Sequence, residues 1–214
     1  LRMPERLTGV KKEELAFCYA VNEIYPSIQG EGWHTGKPCT VLRLQGCNLR
    51  CPFCDTMYAV DSDGGRVLSL EEIDGWMLVS HPKDGIVLVT GGEPGCQPYL
   101  EELADSLRKW GPVHLETNGT QVIPNCFDWV TVSPKGPEVE PVVMKLANEV
   151  KWLVEDWGDV ALLKHFLREY DEFQGTVSVQ PLSAGVEATR ICVRAAIEKG
   201  WRLSVQVHKL IGVA

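Results

Sequence analysis

The sequence predicts an α/β fold, a parallel sheet with crossover helices. Short β-branched runs recur along the chain, several are separated by stretches with helical spacing, and no repeat, low-complexity tract or linker interrupts them. The 214 residues are the length of one domain, so the reading is a single domain over 1–214, with 1–18 as a tail or short extension. The first fifteen residues carry mixed charge and little pattern, as a frayed end does. A strand is expected at 41–44, followed by a helix that begins at a capping box, Ser69 with Glu72. After a strand at 86–89, Pro98 opens an amphipathic run through Leu100, Leu103, Leu107 and Trp110 that closes at Gly111. Strands follow at 113–116 and 129–132, then a Pro-Lys-Gly-Pro-Glu loop at 134–138 and a strand at 150–154. A helix from about 158 to 170, a strand at 176–179, a helix at 186–199 closed by Gly200 and a last strand at 203–207 complete the pattern.

Composition removes several classes of function. With 21 basic against 29 acidic residues the chain is repelled by a phosphate backbone, and no local basic patch offsets this, so nucleic acid is not an expected partner. No apolar run approaches the roughly 18 residues of a membrane span, and no signal peptide is visible, so a soluble cytoplasmic protein is expected. Eight cysteines could pair, but a chain of this length with 44% hydrophobic residues buries a core without disulfides. A reducing compartment follows.

The strongest motif is Cys47-Asn-Leu-Arg-Cys51-Pro-Phe-Cys54, followed by Asp55 and Thr56. Three thiolates on one tight loop can hold three irons of a cubane and leave the fourth without a protein ligand, where a closed zinc site or a simple electron carrier takes four. Two alternatives are a zinc site completed by Cys39 or Cys96 and a redox pair at Cys51 and Cys54. Cys18, Cys126 and Cys192 have no metal-ligand spacing. The second motif, Thr90-Gly91-Gly92-Glu93-Pro94, directly follows the apolar strand at 86–89. Paired glycines at a strand's carboxyl end let a ligand approach the backbone, and α/β barrels place their sites at that end.

Other positions have ordinary and functional readings. Gln29 and Glu31 flank Gly30 in a short polar turn, either solvated or presenting an amide and a carboxylate to a ligand. Arg43 lies inside an apolar strand, where an unpaired charge is costly, so it needs a structural carboxylate or an anionic substrate. Thr56 reads locally as a cap. Ser133-Pro134-Lys135 and Gln180-Pro181-Leu182-Ser183 end strands and read locally as proline turns. His208 and Lys209 end the last expected strand, and Glu116 and Asn118 end another. The seven tryptophans form no stripe, and His34, His81, His114 and His165 carry no assigned role.

The triplet and the Gly-Gly-Glu-Pro segment resemble the radical S-adenosylmethionine superfamily. Within it, Ser27-Ile28-Gln29-Gly30-Glu31-Gly32, Cys54-Asp55-Thr56, Ser133-Pro134-Lys135 and Val207-His208-Lys209 resemble the 7-carboxy-7-deazaguanine synthase family over residues 19–214. The resemblance implies a partial TIM-like barrel, because about 190 residues fall short of the ~250 of a complete one. It implies a [4Fe-4S] cluster on Cys47, Cys51 and Cys54, and S-adenosylmethionine against Phe53, Cys54, Asp55, Gly92, Glu93, Ser133, Pro134, Lys135, Gln180, Pro181, Leu182 and Ser183. Mg2+ would be held at Thr56. A pterin substrate, 6-carboxy-5,6,7,8-tetrahydropterin, would contact Ile28, Gln29, Gly30, Glu31, Arg43, Thr90, His208 and Ala214, the last in place of the terminal proline common in relatives. The implied reaction is radical ring contraction with loss of ammonia to 7-carboxy-7-deazaguanine, in queuosine-type biosynthesis. An external electron donor of flavodoxin or ferredoxin type and a homodimer are implied as partners. Two alternatives share part of the motif set: an activating enzyme for glycyl-radical proteins, and a non-catalytic zinc or iron-sulfur module.

Overall fold

The computed structural model describes residues 17–136 and 138–213; the expected tail up to residue 16, Pro137 and Ala214 lie outside the described residues. Seven strands run parallel in succession: β2 (Pro38–Leu44), β4 (Ile86–Gly91), β5 (Val113–Thr117), β6 (Trp129–Val132), β7 (Glu149–Val154), β8 (Thr176–Pro181) and β9 (Arg202–Leu203). Two more, β1 (Cys18–Ile28) and β3 (Arg66–Ser69), extend one edge, with β1 antiparallel to both β2 and β3. The sheet order is β3-β1-β2-β4-β5-β6-β7-β8-β9, and it does not close. This is the α/β partial barrel that the sequence suggests.

Helices α1 (Leu70–Ser80), α2 (Leu100–Leu107), α3 (Pro141–Leu146), α4 (Trp157–Glu169), α5 (Val186–Lys199) and α6 (Val207–Ile211) connect or follow the strands. The capping box at Ser69 and Glu72 forms in both directions, at 3.2 and 2.8 Å. Gly200 closes α5 in the left-handed conformation, at φ 69°.

Four expectations change. The extension to residue 18 fails at Cys18, where β1 begins; this strand carries Asn22, Glu23 and Pro26 among its apolar residues, which hides its alternation. Edge strand β3 is equally unannounced. Helix α2 stops at Leu107, and Trp110 lies in the turn beyond, where its indole N–H donates to Asp74 at 2.8 Å. The last strand is only Arg202–Leu203: Leu203, Val205 and Val207 alternate as a strand would, yet the Val207 N–H donates to the Gly30 carbonyl at 3.0 Å and starts α6. His208 and Lys209 therefore lie on a helix, not at a strand's end.

The pleat divides the parallel strands into two faces. Leu42, Leu44, Val87, Val89, Val113, Leu115, Val130, Val132, Val150, Val154 and Val179 join the main core with Leu103, Leu107, Leu163, Phe166 and Ile191 of the helices. The alternate residues face the barrel interior. At the amino ends of β2 and β4 these are apolar, Cys39, Val41, Ile86 and Leu88 packed with Tyr25. Farther along they are Arg43, Thr90, Glu116, Lys151 and Gln180, which line one cavity. A barrel interior of buried polar groups is a poor stabilising core, and it is where the site must be.

Candidate active site

The cavity has a volume of about 460 Å3 and opens at the carboxyl ends of the parallel strands. The loop that leaves β2 carries Cys47, Cys51 and Cys54, and all three line the cavity. Gln45, 1% exposed, organises this loop: its side-chain amide donates to the carbonyls of Tyr58 at 3.1 Å and Asp61 at 2.5 Å, and its carbonyl accepts from Gln97 at 2.7 Å. The Cys54 N–H donates to the Cys51 carbonyl at 3.1 Å, and the Leu49 N–H approaches the Cys47 sulfur at 3.4 Å.

The donor set fits a three-cysteine cluster. All eight cysteines are free thiols, and Cys39 is sealed in the apolar layer with Ile86 and Leu88. Neither Cys39 nor Cys96 lines the cavity. Among the described residues no three His, Cys, Asp or Glu side chains gather around a single ion. One thiolate per iron, from a loop spread along the cavity wall, is the arrangement a cubane takes. Burial pushes the Cys47 and Cys51 thiols up, an effect that bound iron would reverse.

Gly91 and Gly92 bring the end of β4 against this loop. A Cβ on Gly91, at φ 147°, would stand 2.2 Å from the Leu44 carbonyl oxygen, and one on Gly92 would stand 2.3 Å from the Gly46 oxygen. The Gly92 and Glu93 N–H groups donate to Leu44 and Gly46 at 3.1 and 2.9 Å. The backbone these glycines admit is therefore the protein's own, while Thr90, Gly91 and Gly92 still face the cavity. The Glu93 side chain does not reach the cavity. Glu93 is wholly buried and accepts from Thr117 Oγ1 at 2.6 Å, the Asn118 N–H at 2.7 Å and the Gly95 N–H at 2.9 Å. Its carboxylate ties β4 to β5 and is absent from the cavity lining, as is Pro134; the flanking Ser133 and Lys135 do line it, with Lys135 donating to Ser133 at 2.8 Å.

Phe53, Asp55 and Thr56 line the mouth. Thr56 holds the N-cap position of a single 3-10 turn, yet its side chain makes no capping bond; its hydroxyl lies 3.6 Å from the Cys54 sulfur. Asp55 accepts from Lys209 at 2.5 Å and Gln206 at 3.0 Å, which ties the cysteine loop to α6. Gln180, Pro181, Leu182 and Ser183 complete this wall from the end of β8.

The loop between β1 and β2 reaches under the cavity as far as β7, where the Trp33 N–H donates to both Glu149 carboxylate oxygens at 3.1 Å. Gly32 donates to Ser204 at 2.8 Å. Ile28, Gln29, Gly30 and Glu31 thereby face inward, and the solvated-turn reading of Gln29 fails, since it is 7% exposed. His208 packs on Gly30 so closely that a Cβ there would overlap its ring. Arg43 has the structural carboxylate: Nε donates to Glu23 at 2.6 Å and Nη2 to the Tyr25 hydroxyl at 3.0 Å. Those bonds use two of five guanidinium donors, and the group still lines the cavity.

Sequence reasoning named Glu31 and offered Glu116 to the cavity but missed the cation between them. Lys151 projects from β7 and donates to Glu31 at 2.6 Å and Glu116 at 2.5 Å, the three side chains being 6, 17 and 14% exposed. Gln206 donates to Glu31 at 2.8 Å and Gln29 to Glu116 at 3.1 Å. Burial alone would raise Glu31, but the Lys151 charge and hydrogen bonds hold it down to about 2. Glu116 is pushed up, by burial first and then by the Glu31 charge acting against Lys151. Burial would lower Lys151, and the two carboxylates outweigh it. A buried trio with one excess negative charge is costly to keep, so it signals a ligand that needs it.

Residues 41–161 match the Radical SAM superfamily. The 7-carboxy-7-deazaguanine synthase of Escherichia coli (strain K12) is 36% identical over 224 residues, covering 92% of this chain and 99% of the relative. The synthase of Bacteroides thetaiotaomicron is 37% identical over 196 residues, covering 90% and 97%. The chain belongs to the 7-carboxy-7-deazaguanine synthase family. Membership of its superfamily implies a [4Fe-4S] cluster and S-adenosylmethionine. The crystal structure of QueE from Escherichia coli, with 30% identity, superposes with a TM-score of 0.80 over 91% of this chain and 96% of that one. Streptococcus suis SuiB, solved bound to S-adenosylmethionine, shares the fold at 14% identity, with a TM-score of 0.53 over 75% of this chain and 48% of its own. Among the described residues no helix is long and apolar enough to cross a membrane.

Proposed function

We propose that this family member converts 6-carboxy-5,6,7,8-tetrahydropterin to 7-carboxy-7-deazaguanine, with loss of ammonia, in 7-deazapurine biosynthesis. One observation carries the reading: a single cavity joins the three-cysteine loop at its mouth to a buried carboxylate and amide cluster at its floor. When bound and reduced, the cluster and S-adenosylmethionine would supply radical hydrogen abstraction at C6 of the pterin. Cys47, Cys51 and Cys54 would hold the cluster. Phe53, Gly92, Ser133, Lys135 and Gln180 to Ser183 line the space for the cofactor, and Asp55 is placed at its edge. Glu93 and Pro134 would act there through the backbone they fix.

The floor suits a pterin. Gln29 and Glu31 offer acceptors and an amide to its donor and acceptor edge, with Gly30 and Ile28 as the supporting backbone. Thr90, Arg43 and His208 stand around the same end, where the remaining Arg43 donors suit a carboxylate. The Thr56 hydroxyl makes no capping bond and lies 3.6 Å from the Cys54 sulfur, where it could serve Mg2+, which accepts one protein oxygen beside substrate and water. The cavity wall excludes water from a radical that would otherwise be quenched. Ala214 lies outside the described residues. A one-electron donor of flavodoxin or ferredoxin type, a homodimeric state and a cytoplasmic setting belong to the same proposal.

The test is anaerobic. Protein reconstituted with iron and sulfide is reduced and given S-adenosylmethionine, Mg2+ and 6-carboxytetrahydropterin, and the products are read by mass spectrometry. 7-Carboxy-7-deazaguanine that disappears in Cys47→Ala, Cys51→Ala or Cys54→Ala supports the reading; 5′-deoxyadenosine without it would keep the radical chemistry and remove the pterin.

A further inference from the structure

We propose that Lys151 is a positioning residue for the substrate's pyrimidine edge: its ammonium fixes Glu31 and Glu116 as a paired acceptor for the N–H donors of a 2-amino-4-oxopyrimidine ring. The inference rests on the pterin reading above and concerns a residue that the motifs leave out.

Lys151 reaches the pair from the middle of β7, whereas Glu31 comes from the loop after β1 and Glu116 from β5. Each carboxylate gives Oε2 to the ammonium; Gln206 donates to Oε1 of Glu31 and Gln29 to Oε1 of Glu116, and Gln180 adds a further hydrogen bond to Glu31. A carboxylate oxygen accepts two hydrogen bonds, so both retain acceptor capacity. Both residues line the cavity. The complement to two such acceptors is a ring edge that carries only donors, an exocyclic amine beside a ring N–H. A 2-oxo ring would place an oxygen against a carboxylate, so the pair selects the 2-amino form.

The ammonium holds Glu31 ionised and opposes the rise that burial and the Glu31 charge impose on Glu116. Other charged or titratable groups facing the trio are Lys135 after β6, Glu149 below it on β7, Asp55 on the cysteine loop, and His208 and Lys209 on α6. Strand β8 contributes the neutral Gln180 and Ser178. With Lys151 removed, the nearest compensating cation is gone and two carboxylates share a proton. A protonated carboxyl presents a donor to the substrate's donors, so affinity would be poorest at low pH and recover as pH rises.

The test is the KM and kcat of wild type, Lys151→Met and Lys151→Met/Glu116→Gln between pH 5.5 and 8.5, with folding checked by circular dichroism. Binding of 6-carboxypterin is followed separately by fluorescence. In the wild type KM should change less across this range than in Lys151→Met. Lys151→Met should raise KM and weaken pterin binding by about tenfold at pH 7, with a smaller effect on kcat and a KM that falls as pH rises. The double variant, relieved of one repelling charge, should recover part of the affinity and flatten the profile. The 2-oxo analogue of the substrate should be rejected by wild type and discriminated less by Lys151→Met. A folded Lys151→Met with wild-type KM and a flat profile, or a double variant no better than the single one, overturns the proposal while leaving the pterin reading intact. Wild-type enzyme that yields no 7-carboxy-7-deazaguanine overturns the reading beneath it.

Discussion

Replacing Gly92 with alanine tests whether the glycine pair holds the cysteine loop in place. The new Cβ would stand 2.3 Å from the Gly46 carbonyl oxygen and 2.7 Å from that of Ala59. Both are backbone atoms flanking the loop, and neither can rotate away as the end of a side chain can. Overpacking costs about 1–3 kcal/mol where neighbors can adjust, so the upper figure applies here. The Gly92 to Leu44 and Glu93 to Gly46 hydrogen bonds would loosen together, at about 1 kcal/mol each. The expected loss is about 3–5 kcal/mol, a large share of the ~5–15 kcal/mol that stabilizes a domain. Urea unfolding of the metal-free protein should show a midpoint lower by roughly 1–2 M. Iron and sulfide content after reconstitution should fall with it. Gly75 is the control, since it is exposed on α1 with nothing within 4 Å of a built Cβ. Gly75→Ala should gain up to about 1 kcal/mol. A Gly92→Ala protein with the wild-type midpoint and full iron content would refute the packing argument, as would a Gly75→Ala variant that loses as much.

Glu93→Ala leaves the Thr117, Asn118 and Gly95 donors buried without an acceptor and should cost about 3–5 kcal/mol in denaturant unfolding. Glu93→Gln fills the space but turns an amide donor on one of these groups, for about 1–3 kcal/mol. His114 is held down to about 4, by burial first and then by the charges of His34 and Lys37. A histidine depressed in the fold binds its proton better when unfolded, so its contribution is present above the ordinary value near 6.5 and is lost as pH falls toward 4. Between pH 7 and 5 this amounts to about 1–2 kcal/mol after allowance for solvent screening, and His114→Phe should remove that part of the slope in urea midpoints at the two pH values. Ser69→Ala breaks the capping box of α1 and should cost about 1 kcal/mol, read as a lower thermal midpoint.

The six parallel strands from β2 to β8 could be read from sequence because each is largely buried on both faces, and a run such as Ile86 to Val89 leaves little ambiguity. Helix α5 could be read because its terminating Gly200 needs a left-handed backbone. Strand β1 could not, because it lies beside the sheet's edge and mixes polar residues into both faces. Helix α6 could not either: Val205 and Val207 satisfy a strand period, and only the docking of Val207 on Gly30, 177 positions away, makes the segment turn. That contact is tertiary and leaves no local trace. The Cys47, Gly91 and Ser133 segments were found through motifs, and the structure gathers them because strand ends of a parallel sheet share one rim.

The difference between Arg43 and Lys151 is the more instructive failure. Both are lone cations inside apolar strands, Val-Leu-Arg-Leu and Val-Lys-Trp-Leu-Val, and the same argument applies to both: a charge on a buried face demands an anion. Applied to Arg43 it led to the substrate, and the first anion the structure supplies is Glu23. Applied to Lys151 it would have led to Glu31 and Glu116, whose charges its ammonium holds near each other. The strands carry a second signal of the same kind. His114 and Glu116 alternate with Val113 and Leu115, and Ser178 and Gln180 with Val177 and Val179, so one face of each strand is apolar and the other polar, although no solvent lies beyond it. In an open antiparallel sheet that alternation means water. In a parallel sheet with helices on its outer face, polar inner residues either pair with one another, as Ser178 does with Glu149, or line a cavity, as Glu116 and Gln180 do. Period-two polarity inside parallel strands is therefore a sequence signature of a polar barrel interior, and here it marks Glu116, Lys151 and Gln180 without recourse to any motif.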